Sequence, residues 1–458
     1  MSVNPADSEI FGGLFGTDEM RAVFDDRRNL QKMLDVEAAL ARVQARLGII
    51  PAGAAEAITA AASVERIKLA EIAASVPVVG YPVVAVAKAL GRAAGGDAAR
   101  YVHWGATTQD IMDTAVVLQV RDGLALIGRD IAAIVSALAD MAESHRDTVM
   151  TGRTHLQHAL PVTFGYKCAV WLAPFIDHLA RFTELKQRAL TVQFGGAVGT
   201  LASLGGDGRA VTTGLAAELG LTAPLSPWHV SRERLVEVAA LLALVCGSLA
   251  KIATDVMLLM QTELGEVFEP HQAGRGGSST MPQKRNPIAS EYVLAATRGV
   301  HALLPLLFNA MAQDQERATG PWQSEQLALP QIFVLTAGAL AHGRTLAEGL
   351  TVDAAAMRRN LDATHGLIMA EAFMMELAEK IGRDDAHHAI QHACGKALEE
   401  DRFLVDVLAE DPDIAVHLDR DTLERLADPA AYLGEARDVV DRVVAGARAA
   451  LAGVGARR

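Results

Sequence analysis

Cysteine is nearly missing from this chain: Cys168, Cys246 and Cys394 are the only three in 458 residues. They are odd in number and far apart, so they build neither a disulfide framework nor a metal-ligand cluster. They read as buried, reduced thiols of a cytosolic protein. Basic charge is in deficit too. A formal net charge of −13 argues against a nucleic-acid partner, and an anionic substrate would need a locally basic pocket. The most apolar stretch, 238–250, is bounded by Glu237 and Lys251, short of the about 20 residues that span a bilayer. The first residues, Met-Ser-Val-Asn-Pro-Ala-Asp-Ser-Glu, hold neither a basic region nor an apolar core, so no signal peptide is expected. No internal repeat occurs, and no low-complexity segment beyond a general richness in alanine. The expectation is a soluble, cytoplasmic protein with no membrane partner.

What the chain does have is helical periodicity. Val117, Val120, Leu124, Ile127, Ile131, Ile134, Leu138 and Met141 recur at alternating spacings of three and four, and so do Leu235, Val238, Leu242, Val245, Leu249, Ile252, Val256 and Leu259. Each set forms one apolar seam more than three turns long, suited to a bundle of near-parallel helices. Further helices are expected near 163–190, 289–312 and 326–349. Many carry Ala and Leu off the main seam, and a helix apolar on more than one face needs more than one neighbour. Packing between subunits is therefore expected. The fold class is all-α, in three helical regions: an N-terminal region 1–112, a central long-helix bundle 113–350 and a C-terminal region 351–458. A turn-rich piece at 75–85 contains Pro77, Gly80 and Pro82. After Gly349, the sequence Thr351-Val-Asp353 reads as a helix start.

The most informative segment is 274–291, Gly-Arg-Gly-Gly-Ser-Ser-Thr-Met-Pro-Gln-Lys-Arg-Asn-Pro-Ile-Ala-Ser-Glu. Its glycines favour a mobile loop, with the hydroxyls of Ser278 and Ser279 at the tip. Lys284 and Asn286 supply a charge and an amide suited to holding a carboxylate. Pro287 fits the first turn of a following helix. It is not a phosphate-binding P-loop, because Gln283 precedes Lys284 and Arg285 follows it.

Five other pieces accompany it. His103-Trp-Gly-Ala-Thr-Thr-Gln-Asp110 is a turn that can present Thr107, Thr108 and Gln109 to an anion, with Asp110 a possible cap of the first long helix. Thr151-Gly-Arg-Thr154-His155 places His155 in a polar turn between two long helices; alone, such a histidine is usually an ordinary hydrogen-bonded residue. His158 is nearby, but no Cys or carboxylate cluster joins the pair, so a metal site is rejected. Gln193-Phe-Gly-Gly-Ala-Val-Gly-Thr200 breaks the bundle, and Trp228-His229-Val-Ser-Arg232 opens the third long helix. Arg317, after the fourth, is a candidate carboxylate clamp or a solvated charge.

The sequence Gly-Ser-Ser-x-Met-Pro-x-Lys-x-Asn at 277–286 resembles the signature loop of the fumarase/aspartase superfamily. The Thr-Thr-Gln-Asp, Gly-Arg-Thr-His and Gly-Ala-Val-Gly-Thr segments follow the family's order, and the resemblance covers essentially the whole chain. Within the superfamily the chain most resembles 3-carboxy-cis,cis-muconate cycloisomerases, through 30–40, 227–237, 258–270 and 357–371; adenylosuccinate lyases come next. The resemblance implies a homotetramer whose sites combine segments from three subunits, a small polycarboxylate substrate and no metal or organic cofactor. It implies proton removal beside a carboxylate, giving an aci-carboxylate, and a bond made or broken at the adjacent carbon. Ser278, or failing it Ser279, would be the base. His103, Thr107, Thr108, Gln109, Thr154, Lys284, Asn286 and Arg317 would bind substrate or its developing charge. Some muconate enzymes carry Trp where this chain has His155 and lack the glutamate at Glu291. In the C–N lyases such a histidine and glutamate pair to protonate the leaving group. A cycloisomerase-like reaction is therefore the first expectation and a fumarate-releasing C–N lyase the alternative, with a non-catalytic structural relative a distant third.

Overall fold

The two apolar seams are buried as their spacing predicts. The computed structural model describes residues 4–270, 277, 280–281, 283–317 and 319–455. The segments needed below are helix α1 (Asp26–Arg46), α2 (Thr108–Ser144), strands β1 (Val149–Thr154) and β2 (Gln157–Thr163), α3 (Phe164–Ala189) and α4 (Glu233–Leu259). Then come β3 (Val267–Phe268), α5 (Ile288–Ala310), α6 (Pro321–Gly349), β4 (Thr351–Val352) and α7 (Ala354–Asp362). Along α2, Val117 through Leu138 of the seam are buried, as is the whole seam of α4 from Leu235 to Leu259. At 1.5 Å per residue, the 37-residue α2 is about 55 Å long. The expected helices at 163–190, 289–312 and 326–349 are α3, α5 and α6, and Asp353 caps α7 by accepting from Ala356 N–H at 2.8 Å.

Two short antiparallel pairs interrupt this helical pattern. Strand β1 pairs with β2, and β3 with β4. The polar turn around His155 is the tip of the β1–β2 hairpin, where His155 and Leu156 have φ of 51° and 62°. Thr351 and Val352 pair with Phe268 and Val267 before α7 begins. The sequence expectation missed both pairs, because the strands are short and the first is broken by an irregularity between Thr151 and Arg153.

By its contacts the chain divides into two compact units. One comprises Met1–Ile131, His178–Leu249 and Tyr292–Ala341, the other Ala132–Asp177, Ala250–Glu291 and His342–Arg458. The boundary falls inside each of the five long helices. In the first unit Leu34, Ile58, Val86, Leu90, Ile111 and Leu118 form one cluster, and Leu40, Val43, Phe194, Val211 and Leu215 another. In the second unit Leu361, Phe373, Leu377, Ile390, Leu404 and Leu423 form the core.

The first unit also buries an ion cluster. Arg232 donates to both oxygens of Asp113, at 2.6 and 3.0 Å, and to both oxygens of Glu325. The Trp322 indole N–H adds a 3.0 Å bond to Asp113, and the Trp228 ring lies 4.9 Å from the guanidinium. Arg232 is fully buried. Removing one partner from such a cluster strands the others without solvent. Arg232→Met is expected to destabilise the fold by about 3–5 kcal/mol in urea unfolding. A loss below about 1 kcal/mol, the level of an exposed pair, would contradict this reading.

Candidate functional site

Residues 103–110 form a turn that launches α2. Thr107, the residue just before the helix, donates its backbone N–H to Asp110 Oδ2 at 3.0 Å, which is half of a capping box. Asp110 therefore lies inside the first turn of α2 and is not the residue that precedes the helix. Gly105 has φ 73° and no room for a side chain: a Cβ there would meet Leu204 Cδ2 at 2.6 Å.

Asp110 also reaches across to the glycine-rich break. It accepts from Gly195 N–H at 2.9 Å, Gly196 N–H at 2.9 Å and the Gln193 amide at 3.1 Å. With Thr107 this makes four donors on one buried carboxyl group. Burial pushes its pKa up to about 6, against the pull of these donors. Gln193 is a second junction. Its side-chain carbonyl accepts from Trp228 N–H at 2.7 Å, and its backbone exchanges two bonds with the Thr114 hydroxyl.

Gln109 and Arg317 join the same network. The Gln109 amide donates to His229 O at 2.8 Å, and its carbonyl accepts from Arg317 at 3.2 Å. Arg317 also donates to Gly196 O and Ala197 O at 3.1 and 3.0 Å. In this state Gln109 acts as a structural tie, and Arg317 is fastened to the glycine-rich segment. Burial, and after it the charge of Arg317, lowers the pKa of His229. Thr107 and Thr108, by contrast, are half-buried and make no side-chain hydrogen bond to other described residues. Two hydroxyls thus stand at the positive end of a 37-residue helix, where an anion is favoured.

The second unit holds the remaining residues. Thr154 and His155 are exposed at the hairpin tip. The hairpin is anchored by Arg153, which makes a two-pronged pair with the fully buried Glu266 at 2.7 and 2.9 Å; Asn360 adds a 2.7 Å bond to the same carboxylate. Glu269 fixes the segment after the signature loop. It accepts from the N–H groups of Ala289 and Ser290 at 3.0 and 2.8 Å and from the Ser290 hydroxyl at 2.8 Å, capping α5. Arg285 donates to Glu269 O at 2.9 Å and stacks 5.0 Å from the Phe268 ring. Lys284 and Glu291 are exposed and Asn286 is half-buried. Among the described residues His155 and Glu291 share no hydrogen bond or ion pair. Ser278 and Ser279 lie outside the described residues.

Among the described residues no group of three or more His, Cys, Asp or Glu side chains is arranged to hold a metal ion. Sequence reasoning missed Glu37, Gln44, Asp113, Glu266, Glu269 and Glu325. All are buried, and a polar residue placed at a core-facing helix position was the signal that could have found Glu37, Gln44 and Asp113. Glu266 and Glu269 sit in 258–270, a stretch chosen for resemblance but not for chemistry.

A long-helix fold with a hydroxyl-bearing helix terminus and a glycine-rich segment clamped to it is suited to holding an anion through fixed donors. Comparison with known proteins agrees. A lyase family model matches residues 15–301, and the model of the adenylosuccinate lyase C-terminus matches 366–443. The chain is 51% identical to a 3-carboxy-cis,cis-muconate cycloisomerase of Pseudomonas aeruginosa over 97% of both chains. It superposes with TM-score 0.92 on the 3-carboxy-cis,cis-muconate lactonizing enzyme of Pseudomonas putida, at 47% identity, covering 97% of this chain and 100% of that one. A fumarate lyase of Mesorhizobium sp. BNC1 gives 0.89 at 47% identity, covering 94% and 98%. The chain belongs to this lyase family and is an enzyme of the fumarase/aspartase superfamily.

The account of Asp110 is testable. Asp110→Ala leaves four donors without their acceptor, at about 1 kcal/mol or more each. Denaturant unfolding should show a loss of several kcal/mol, and kcat/KM should fall by more than tenfold. A variant with unchanged stability and activity would contradict the role given to this carboxyl group.

Proposed function

We propose that the protein is a cycloisomerase acting on a 3-carboxymuconate-type tricarboxylate, making or breaking a C–O bond beta to a carboxylate. The observation that carries this is the 51% identity, over 97% of both chains, to the Pseudomonas aeruginosa cycloisomerase. In the direction from lactone to diene, the base removes the proton beside a carboxylate. The electron pair moves onto that carboxylate as the aci form, and the ring C–O bond on the next carbon breaks, freeing a second carboxylate. The barrier lies in the charge gathered on the carboxylate oxygens, so donors must be in place before reaction. Thr107 and Thr108 at the start of α2 suit this, with Lys284 and Asn286 from the signature segment. Ser278, or failing it Ser279, is the proposed base; backbone N–H groups of the glycine-rich loop and Lys284 would stabilise its alkoxide.

The proposed assembly is a homotetramer with sites shared between subunits. The exposed faces of the long helices support it. Only 33% of the most apolar 18-residue window of α5 is buried, against 61% for α4. Phe308, Leu244 and Leu327 are each more than half exposed. Helices α4 and α5 are long and apolar enough to cross a membrane by length and composition alone, and packing in a bundle accounts for both. The exposure of His155, Lys284 and Glu291 suits residues that meet substrate beside another chain. A cytoplasmic location is proposed because Cys168 and Cys246 are buried, unpaired thiols.

A second reading has one specific observation in its favour. His155 and Glu291 are the residue types that protonate an amine leaving group in C–N lyases. A lyase releasing fumarate from an N-substituted aspartate is the alternative on that ground.

Ultraviolet absorbance separates the two. 3-Carboxymuconate, adenylosuccinate, argininosuccinate and simple N-substituted aspartates are offered in parallel. Diene absorbance should change with 3-carboxymuconate alone; fumarate release from an amino-succinate would instead establish the lyase. Ser278→Ala should lower turnover by orders of magnitude, about 10²-fold or more, without loss of folding. Near-normal activity would pass the role to Ser279. Light scattering should give a tetramer, and an active monomer would refute shared sites.

A further inference from the structure

Helix α1 carries two polar side chains on a face that otherwise builds the core. Glu37 is 1% exposed and Gln44 is fully buried, among Leu34, Leu40 and Val43. Seven residues apart, they lie two turns from each other on one side of the helix. Both reach the start of the 103–110 turn. Glu37 Oε1 is 2.6 Å from His103 Nδ1, and the Gln44 amide donates to Trp104 O at 2.7 Å. His103 sits at φ 63°, a left-handed conformation that a residue with a Cβ adopts at a cost. Such a conformation persists where its surroundings over-determine it. Here Gln44 holds the backbone and Glu37 holds the ring.

The second oxygen of Glu37, Oε2, is buried without a hydrogen-bond partner among the described residues. Among the described residues the imidazole is therefore the one hydrogen-bond partner of this carboxylate. A carboxylate so deprived of solvent favours a cation beside it. An ionised carboxylate only accepts, so Nδ1 of His103 carries the proton and Nε2 is left as the ring's titrating atom. We infer that Glu37 is a positioning residue: it orients His103 and keeps it cationic, so that His103 can take one carboxylate of the substrate beside Thr107 and Thr108. The inference rests on the proposed polycarboxylate site and adds the group that controls its charge.

The electrostatics run the same way. Burial pulls the pKa of His103 down, but the charge and hydrogen bond of Glu37 on α1, with Asp110 on α2, outweigh it and leave the pKa raised. The cation is then present below the midpoint and lost as pH rises through it. Carboxylate binding should weaken over that same interval.

The test is a pH titration of the histidine rings by NMR on the full chain, with His103→Gln to assign the signal, alongside KM and kcat for 3-carboxymuconate. In the wild type, His103 should titrate above the ordinary value of about 6.5. Glu37→Gln keeps an acceptor but removes the charge. It should move the midpoint to lower pH and raise KM near neutrality by about tenfold, with a much smaller change in kcat. A His103 midpoint at or below the ordinary value in the wild type overturns the inference, even if the variant does not fold. So does a Glu37→Gln midpoint that stays in place, or an unchanged KM in His103→Gln. A wild type that turns over none of the polycarboxylates would overturn the functional reading instead, while a shifted midpoint in Glu37→Gln would still support the pair.

Discussion

One buried carboxyl group sets the arrangement of the first unit. Asp110 gathers the N–H of Thr107 with those of Gly195 and Gly196 and the amide of Gln193. The turn that starts α2 and the glycine-rich break thereby become one piece. Because the donors come from backbone as well as side chain, the arrangement depends on Gly196 holding φ at 68° as much as on the acid itself. Gln109 and Arg317 build on that piece, and through Gln193 so does the chain at Trp228. The outcome is a helix terminus whose two threonine hydroxyls stay available while the groups around them are committed elsewhere.

This division of labour bears on catalysis. A transition state that places extra charge on a carboxylate gains most from donors that need not move. In the first unit the rigid elements are the Asp110 network and the Arg232 cluster, which joins α2, the start of α4 and α6. In the second, Glu266 and Glu269 hold the hairpin and the foot of α5, so that His155, Lys284 and Glu291 project from anchored backbone. The exposed side chains are those proposed to meet substrate, and the buried ones hold the backbone that carries them.

Much of this was legible in the sequence, though unevenly. The seams of α2 and α4 follow from spacing alone, because a period near 3.6 leaves few alternatives over eight positions. The turn at 103–110 was visible as a run of small and hydroxylated residues. Asp110 was visible only as a helix cap. Its partners at 193–196 are more than 80 positions away, and no local pattern records a contact of that range. Glu37 and Gln44 interrupt a core-facing stripe and could have been flagged as buried polar residues, but their target on the 103–104 turn needed the fold. The β1–β2 hairpin escaped notice because Gly152 and Arg153 break its alternation. Ser278 and Ser279, the clearest residues in the sequence, lie outside the described residues, so their chemistry rests on the signature itself.

The central claim is that Thr107 and Thr108, held by Asp110, form the seat of a substrate carboxylate. A crystal structure with propane-1,2,3-tricarboxylate, a saturated tricarboxylate that cannot react, tests this most directly. The account predicts one carboxylate within about 3 Å of both hydroxyls, at the start of α2. Ordered ligand elsewhere in the protein, with that helix start left unliganded, would contradict it.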